Sequence, residues 1–306
     1  MARILGVGIA TLDIINTVAD FPAEDSEVRA TAQSRRRGGN ATNTLVVLSQ
    51  LGHHTAWAGT LADDDGSAVI RAELSRYGVD MRPVQEVAAG RVPTSYITLN
   101  GRNGSRTIVH YRDLPEYSLA AFQAIDLTAF DWLHFEGRNV AQTRAMLDHA
   151  RLRAPQVPRS VELEKPRPGI DALCEGADLL LYSRHYAQAH RPSETPADSG
   201  DHEVEGFLRA VHARWPTADH VCSWGEQGAW ALGADGGLHH AEAEKLATVV
   251  DTLGAGDTFN AGLIHARLNG LGLDESLRDA CRLAGRKCTQ QGLDGLTLVG
   301  VNAKQG

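Results

Sequence analysis

The chain is poor in cysteine, with four in 306 residues: Cys174, Cys222, Cys281 and Cys288. That is too few and too scattered for a disulfide framework, and no Cys-x-x-Cys pair is present. Basic charge is also short, since 30 Lys+Arg stand against 38 Asp+Glu, a formal net charge of −8. A general nucleic-acid binder needs a basic face for phosphate contacts, so that class is excluded. No apolar run approaches the ~20 residues of a membrane-spanning helix. Met1-Ala2-Arg3-Ile4-Leu5-Gly6 reaches glycine too soon to be the apolar core of a signal peptide. The 13 histidines include His53-His54 and His239-His240 but no His-Glu-x-x-His spacing, and adjacent side chains point to different sides of a helix or strand. The expectation is a soluble, cytoplasmic protein with no membrane or nucleic-acid partner, long enough to bury a large core.

What is present is alternation. Ile4–Ile9 reads as a short buried strand, yet Gly6-x-Gly8 has no third glycine opening a helix, so a dinucleotide fingerprint is absent. Asn40–Leu51 has helical spacing and stops at Gly52. Thr55–Gly59 reads as a strand, and Asp63-Asp64-Asp65-Gly66 as a turn into a helix over Ser67–Tyr77. Three adjacent acids suggest a metal, but acids before a helix start are favoured by the unpaired amides there, and capping is the stronger reading. Thr94–Leu99 and Arg106–Tyr111 flank Asn100-Gly101 and Asn103-Gly104, which marks a polar hairpin suited to a flap over a site. Further strands are expected at Asp131–Phe135, Ser160–Leu163, Leu179–Ser183, His220–Trp224 and Ala229–Leu232. With helices between several of them, this order implies a mostly parallel sheet covered on both faces. Arg191–Gly200 has little to bury and reads as a mobile loop.

Chemistry concentrates in Asp251-Thr252-Leu253-Gly254-Ala255-Gly256-Asp257-Thr258-Phe259-Asn260-Ala261. Small residues at Gly254, Ala255 and Gly256 let backbone approach a ligand, and the free amides of the following helix can cradle a phosphate oxygen. A carboxylate beside such a hole, here Asp257, suits phosphoryl transfer to an alcohol, taking the hydroxyl proton while amides hold the migrating charge. Those amides should also keep Asp257 ionised. Spacing alone leaves base and helix cap equally open for Asp257.

The same run resembles the C-terminal signature of the ribokinase-like (PfkB) carbohydrate kinases. Arg37-Gly38-Gly39-Asn40-Ala41-Thr42-Asn43 resembles that family's N-terminal sugar-site motif. Runs outside the signatures, including Phe21-Pro22-Ala23-Glu24-Asp25, Glu136-Gly137-Arg138-Asn139, Ser160–Arg167 and Ala284–Cys288, are similar to the ketohexokinase branch. The resemblance implies one α/β domain over residues 1–306, a ribokinase-like three-layer sandwich with a mostly parallel central sheet. A small β-ribbon lid would be built from about 13–38 and 91–113. It implies transfer of phosphate from ATP to the 1-hydroxyl of a ketohexose, with Asp257 as base and Gly254, Ala255 and Gly256 as anion hole. Sugar contacts would be Asp13, Asp25, Gly39, Asn40 and Asn43, with Arg106 closing from the flap. Without the motif, Asn40 and Asn43 read as helix caps, Asp13 as a polar turn and Arg106 as a solvated hairpin arginine.

For ATP the resemblance points to Ser223, Trp224, Gly225 and Gly228, to Gly254 and Gly256, and to the region of Cys288. The family's Asn-x-x-Glu element, which arranges the Mg²⁺ waters, is missing after Leu179–Leu181, where the chain reads Tyr182-Ser183-Arg184-His185-Tyr186. Glu164 or Glu162 is then the substitute, acting through water. Asp251 matches a residue near a monovalent-cation site, which raises K⁺ as a further cofactor. Arg35-Arg36-Arg37 reads either as a site for a substrate phosphate or, more commonly, as a solvated device on an edge strand. Unpaired lid edges suggest a homodimer clasped through the lids. Two rivals remain: a related kinase acting on a pentose, an acidic sugar or a nucleoside, and a non-catalytic sugar or nucleotide binder on the same fold.

Overall fold

In runs such as Leu179-Leu180-Leu181, every residue is apolar and buried, as a strand covered on both faces requires. The computed structural model of the chain describes residues 1–190 and 201–297, and the loop expected at Arg191–Gly200 lies outside them. In chain order the elements begin with β1 (Arg3–Val7), β2 (Thr11–Val18), β3 (Ala32–Gly38), α1 (Asn40–Gln50), β4 (His54–Ala58), β5 (Thr60–Ala62) and α2 (Asp65–Arg76). There follow β6 (Gln85–Val87), β7 (Thr94–Asn100), β8 (Arg106–Tyr111), α3 (Leu119–Gln123), β9 (Trp132–Glu136), α4 (Val140–Arg153) and β10 (Arg159–Leu163). The rest are β11 (Leu179–Ser183), α5 (Arg184–Ala189), α6 (Asp201–Arg214), β12 (Asp219–Ser223), β13 (Ala229–Leu232), β14 (Leu238–Ala241), α7 (Ala255–Leu268) and α8 (Leu273–Cys288).

Eight strands form one sheet in the order β14-β13-β12-β11-β10-β9-β1-β4. Its pairs from β12 to β4 are parallel, and β13 and β14 add an antiparallel edge. Because successive side chains alternate between faces, Leu5, Val7, Leu180 and Tyr182 join a core with α4 and α6, while Ile4, Leu179 and Leu181 join a second core with α1, α7 and α8. The result is a three-layer α/β sandwich, as the alternation implied. All parallel strands present their C-terminal ends to one edge of the sheet, where ligands of open α/β folds bind.

Above that edge stands a separate four-stranded sheet in the order β3-β2-β7-β8. One face of its β7–β8 ribbon carries Ser95, Ile97, Arg106, Ile108 and His110 toward the cleft. The opposite face carries Tyr96, Val109 and Tyr111, which are 49%, 65% and 49% exposed. The acid triplet behaves as a cap: Asp64 accepts from the Ser67 amide at 2.9 Å, at the start of α2. The polar-turn reading of Asp13 fails, since it lies inside β2, paired with β3 and β7. The arginine run is not uniform either, because Arg35 is exposed while Arg37 is buried.

Candidate functional site

The cleft between the sheet edge and the four-stranded sheet encloses about 740 Å³. Its walls bring together Asp13, Gly39, Asn40, Asn43, Arg106, Glu162, Glu164, Ser223, Gly254, Gly256 and Asp257. Both motifs therefore reach one site across more than 200 residues of sequence, through the packing of α1 against α7.

At the start of α7, Gly254 has φ 80°, a conformation open to glycine, and it offers no side-chain cap. A methyl group there would lie 3.7 Å from Asn43 Nδ2 and 3.8 Å from Asp257 Oδ2. The Ala255 amide donates to the Thr252 carbonyl at 3.2 Å. Among the described residues, the amides of Gly254, Gly256 and Asp257 meet no protein acceptor and are open to an anion, whereas the Ala255 amide is engaged within the turn. Asp257 does not cap the helix. Its Oδ2 instead accepts from Asn43 Nδ2 at 2.7 Å.

Asp257 is 7% exposed. Burial pushes its carboxyl up to about 7, partly opposed by the Asn43 hydrogen bond and reinforced by the charges of Glu164 and Glu136. The expectation that helix amides keep this group firmly ionised is thus corrected, because desolvation of the charge outweighs them. A carboxyl poised near neutrality suits a base that must both hold and release a proton.

Neither asparagine caps α1, whose N-cap is Gly39. Gly39, at φ 106°, lets the chain turn so tightly that a methyl group would sit 2.2 Å from the Ile9 carbonyl. Asn40 Nδ2 is 3.2 Å from both Glu162 Oε1 and Glu164 Oε2, and so joins the two carboxylates. Asn260, one turn beyond Asp257 on α7, also donates to Glu162 Oε1 at 3.2 Å. Among the described residues Glu162 Oε2 is buried without a partner, and burial together with Asp257 and Glu164 raises this carboxyl well above its ordinary range. An orphaned carboxylate oxygen at the wall of the cleft fits a hard divalent cation or one of its waters. From β8 of the four-stranded sheet, Arg106 Nη1 lies 3.5 Å from Thr252 Oγ1, beside the Gly-rich turn.

Several expected residues lie elsewhere. Asp25, at φ 58°, sits exposed on the loop between β2 and β3 and does not line this chain's cleft. Trp224 is buried beneath Arg184, 5.3 Å from its ring centre. Gly225 and Gly228 close the β12–β13 turn, and at Gly228 a methyl group would meet the Ala241 carbonyl at 2.0 Å. Cys288 is half-buried, and its carbonyl accepts from the amides of Val250 at 2.8 Å and Asp251 at 3.3 Å, anchoring the loop before the anion hole. Of the proposed nucleotide contacts, Ser223, Gly254 and Gly256 reach the cleft wall.

Asp251 accepts from the amides of Leu253 at 2.9 Å and Gly292 at 3.2 Å and lies 3.0 Å from the buried Lys287 Nζ. Lys287 Nζ also donates to the Asp251 carbonyl at 2.7 Å. An ammonium already stands among these donors, so they do not fit a resident K⁺ ion.

Sequence reasoning left Glu136 and Asn260 without site roles, and it read Arg37 only as part of the Arg35–Arg37 run, as a substrate-phosphate site or a solvated edge device. Asn260 had a signal, since i,i+3 residues share a helix face with Asp257. Glu136 had none, because its place depends on β9 lying beside β10.

The model of the family described as pfkB family carbohydrate kinase matches residues 1–297. A mouse ketohexokinase is 40% identical over 302 residues, covering 96% of this chain and 98% of that protein. An Escherichia coli fructoselysine 6-kinase is 24% identical over 257 residues, 83% of this chain and 90% of that protein. Among solved structures, a putative ribokinase from Agrobacterium tumefaciens superposes with TM-score 0.82 at 24% identity, covering 97% of this chain and 94% of that one. An Arabidopsis thaliana ribokinase complexed with ribose and ATP gives TM-score 0.76 at 19% identity, with 95% and 94% covered.

Proposed function

The chain belongs to the pfkB family of carbohydrate kinases, and from that premise we propose that it transfers the γ-phosphoryl group of ATP to the 1-hydroxyl of a ketohexose, fructose above all. The observation that carries the reading is Asp257, buried at the cleft wall beside three amides that meet no protein acceptor among the described residues. Similarity to a ketohexokinase along nearly the whole of both chains selects the sugar.

In this mechanism Asp13, Gly39, Asn40 and Asn43 hold sugar hydroxyls, because short carboxylates and amides can each satisfy one or two. With Oδ2 held by Asn43, Asp257 Oδ1 takes the 1-hydroxyl proton as the oxygen attacks the γ-phosphorus, the bond from that phosphorus to the β-phosphate oxygen breaks, and ADP departs. The amides of Gly254, Gly256 and Asp257 stabilise charge on the migrating group, and Arg106 reaches over it from the lid. Ser223 and the Gly-rich turn face the nucleotide. Glu162 and Glu164 would hold Mg²⁺ through its waters, and the ion supplies charge neutralisation to the β- and γ-phosphates. No step passes through K⁺.

The apolar outer face of the lid, with Tyr96, Val109 and Tyr111, fits a homodimer clasped through the two lids. Four free cysteines and the use of ATP suit the cytoplasm. Among the described residues, no helix is long and apolar enough to cross a membrane.

A panel of fructose, ribose, fructoselysine and a nucleoside, each with ATP and Mg²⁺, tests the reading. Fructose should give the highest kcat/KM. Preference for a nucleoside or pentose would replace the ketohexose reading, and sugar binding without product from any member would leave a binding protein.

A further inference from the structure

Arg37 ends β3 directly before the Gly38-Gly39 turn, and its side chain is only 1% exposed. It touches the outer side of the residue that holds Asp257. Its Nη1 donates to Asn43 Oδ1 at 2.8 Å and to Thr42 Oγ1 at 2.7 Å. Its Nη2 lies 3.3 Å from Glu73 Oε1, and its own backbone amide donates to Glu73 Oε2 at 3.0 Å. Thr42 Oγ1 lies 3.0 Å from the carbonyls of Gly38 and Gly39. The guanidinium is thus clamped to the sugar-site turn on one side and to α2 on the other.

A guanidinium can only donate. It therefore selects one of the two orientations of the Asn43 amide, with oxygen toward Arg37 and nitrogen toward Asp257. The reverse orientation would set an amide NH₂ against a guanidinium and an amide oxygen against a carboxylate. Each contact would then be repulsive in a site shielded from water.

We infer that Arg37 is a positioning residue for phosphoryl transfer, acting through Asn43 to fix which oxygen of Asp257 is engaged and which is left for the substrate hydroxyl. The inference rests on Asp257 being the base. Arg37 also places positive charge one side chain away from Asp257 without pairing with it directly. A direct ion pair would hold the carboxylate charged and weaken it as a base. The other charged groups acting on Asp257 are Glu136 at the end of β9, Glu162 on β10 and Glu164 just beyond it. Around Arg37 itself stand Glu73 and Tyr77, from α2 and its end, and Asp13 of β2. Two of these acids have cations of their own, since Arg138 pairs with Glu136 at 2.8 Å and Lys165 lies 3.6 Å from Glu164, while Arg37 is the cation that acts on Asp257 itself.

The experiment is a double-mutant cycle of Arg37→Met and Asn43→Ala, read in kcat and KM, with Asp257→Asn as reference. Arg37→Met should lower kcat by about 10- to 100-fold while KM for ATP stays within about twofold. Adding Arg37→Met to Asn43→Ala should then cost little more than Asn43→Ala alone. Arg37→Lys, which keeps donor and charge, should recover most of the loss. The acid limb of the kcat/KM profile should move to higher pH in Arg37→Met, a displacement that a packing defect would not produce. If the single variant does not fold, Arg37→Met with Glu73→Gln removes the stranded carboxylate and serves the same cycle. Multiplicative losses, or an Arg37→Met enzyme with normal kcat, overturn the inference while leaving Asp257 as base. Normal turnover in Asp257→Asn overturns the base reading itself.

Discussion

Asp257→Asn should remove activity and at the same time stabilise the fold. The native carboxyl is raised from 3.8 to about 7 by burial, so near pH 8 the folded state holds an ionised group that the unfolded chain would hold more cheaply. Each tenfold change in proton affinity is worth about 1.4 kcal/mol, which sets a ceiling of about 4 kcal/mol on the penalty. Water in the open cleft screens part of it, leaving on the order of 2 kcal/mol. In a chain of this length that corresponds to a rise in Tm of about 3 °C. The sign follows from linkage. Below the unfolded value both states are protonated and the penalty vanishes. As pH climbs from about 4 to 7 the folded state binds the extra proton, stability falls, and above about 7 the loss is complete. The Asn variant lacks this dependence, so its advantage should be near zero at about pH 4, grow through that window and level off above it. Urea unfolding of both proteins across the window measures the difference. An Asn variant that is less stable near pH 8, or whose advantage is the same at both ends, would refute the account of Asp257 as a desolvated charge.

Turnover of the native enzyme should rise as pH increases through about 7, because only the ionised Asp257 can accept the hydroxyl proton; a kcat/KM profile flat across that range would count against it. Gly254→Ala should lower kcat by about 10² while leaving sugar binding nearly intact, since φ 80° disfavours a side chain and the displaced turn carries an anion-hole amide. Isothermal titration with fructose alongside steady-state kinetics separates the two effects. Val109→Asp on the outer face of the lid should shift the protein from dimer to monomer in sedimentation velocity, and a variant sedimenting like the native protein would argue against the lid as the interface.

The strands of the main sheet other than β14 were legible because they are apolar runs punctuated by glycine and acid-rich turns, and Ala229–Leu232 has the same limits in sequence and structure; the order of those strands in the sheet was not. Element ends moved by a residue or two, as at α2, where the Asp64 cap starts the helix two residues early. β2 was harder to see. Thr11–Val18 alternates only weakly, and its pairing with β3 and β7 is a property of distant segments. The site shows the same division. Asp257, Asn43 and the Gly-rich turn belong to compact motifs. The burial of Arg37 and the orphaned Glu162 oxygen arise from packing between elements far apart in sequence, and no local pattern encodes them. Trp224, Gly225 and Gly228 are absent from the described cleft wall for a local reason: glycine after a strand serves a tight hairpin as readily as a ligand, and both glycines sit in the β12–β13 turn.

One carboxylate meeting one hydroxyl is the centre of the proposed reaction. Single-turnover mixing of the native enzyme and Asp257→Asn with fructose and radiolabelled ATP, with the product resolved by ³¹P and ¹³C NMR, addresses it directly. The native enzyme should form fructose 1-phosphate, and the variant should bind fructose with nearly unchanged Kd yet form product at least about 10³-fold more slowly. Phosphate on any other hydroxyl, or a variant that turns over at the native rate, would contradict it.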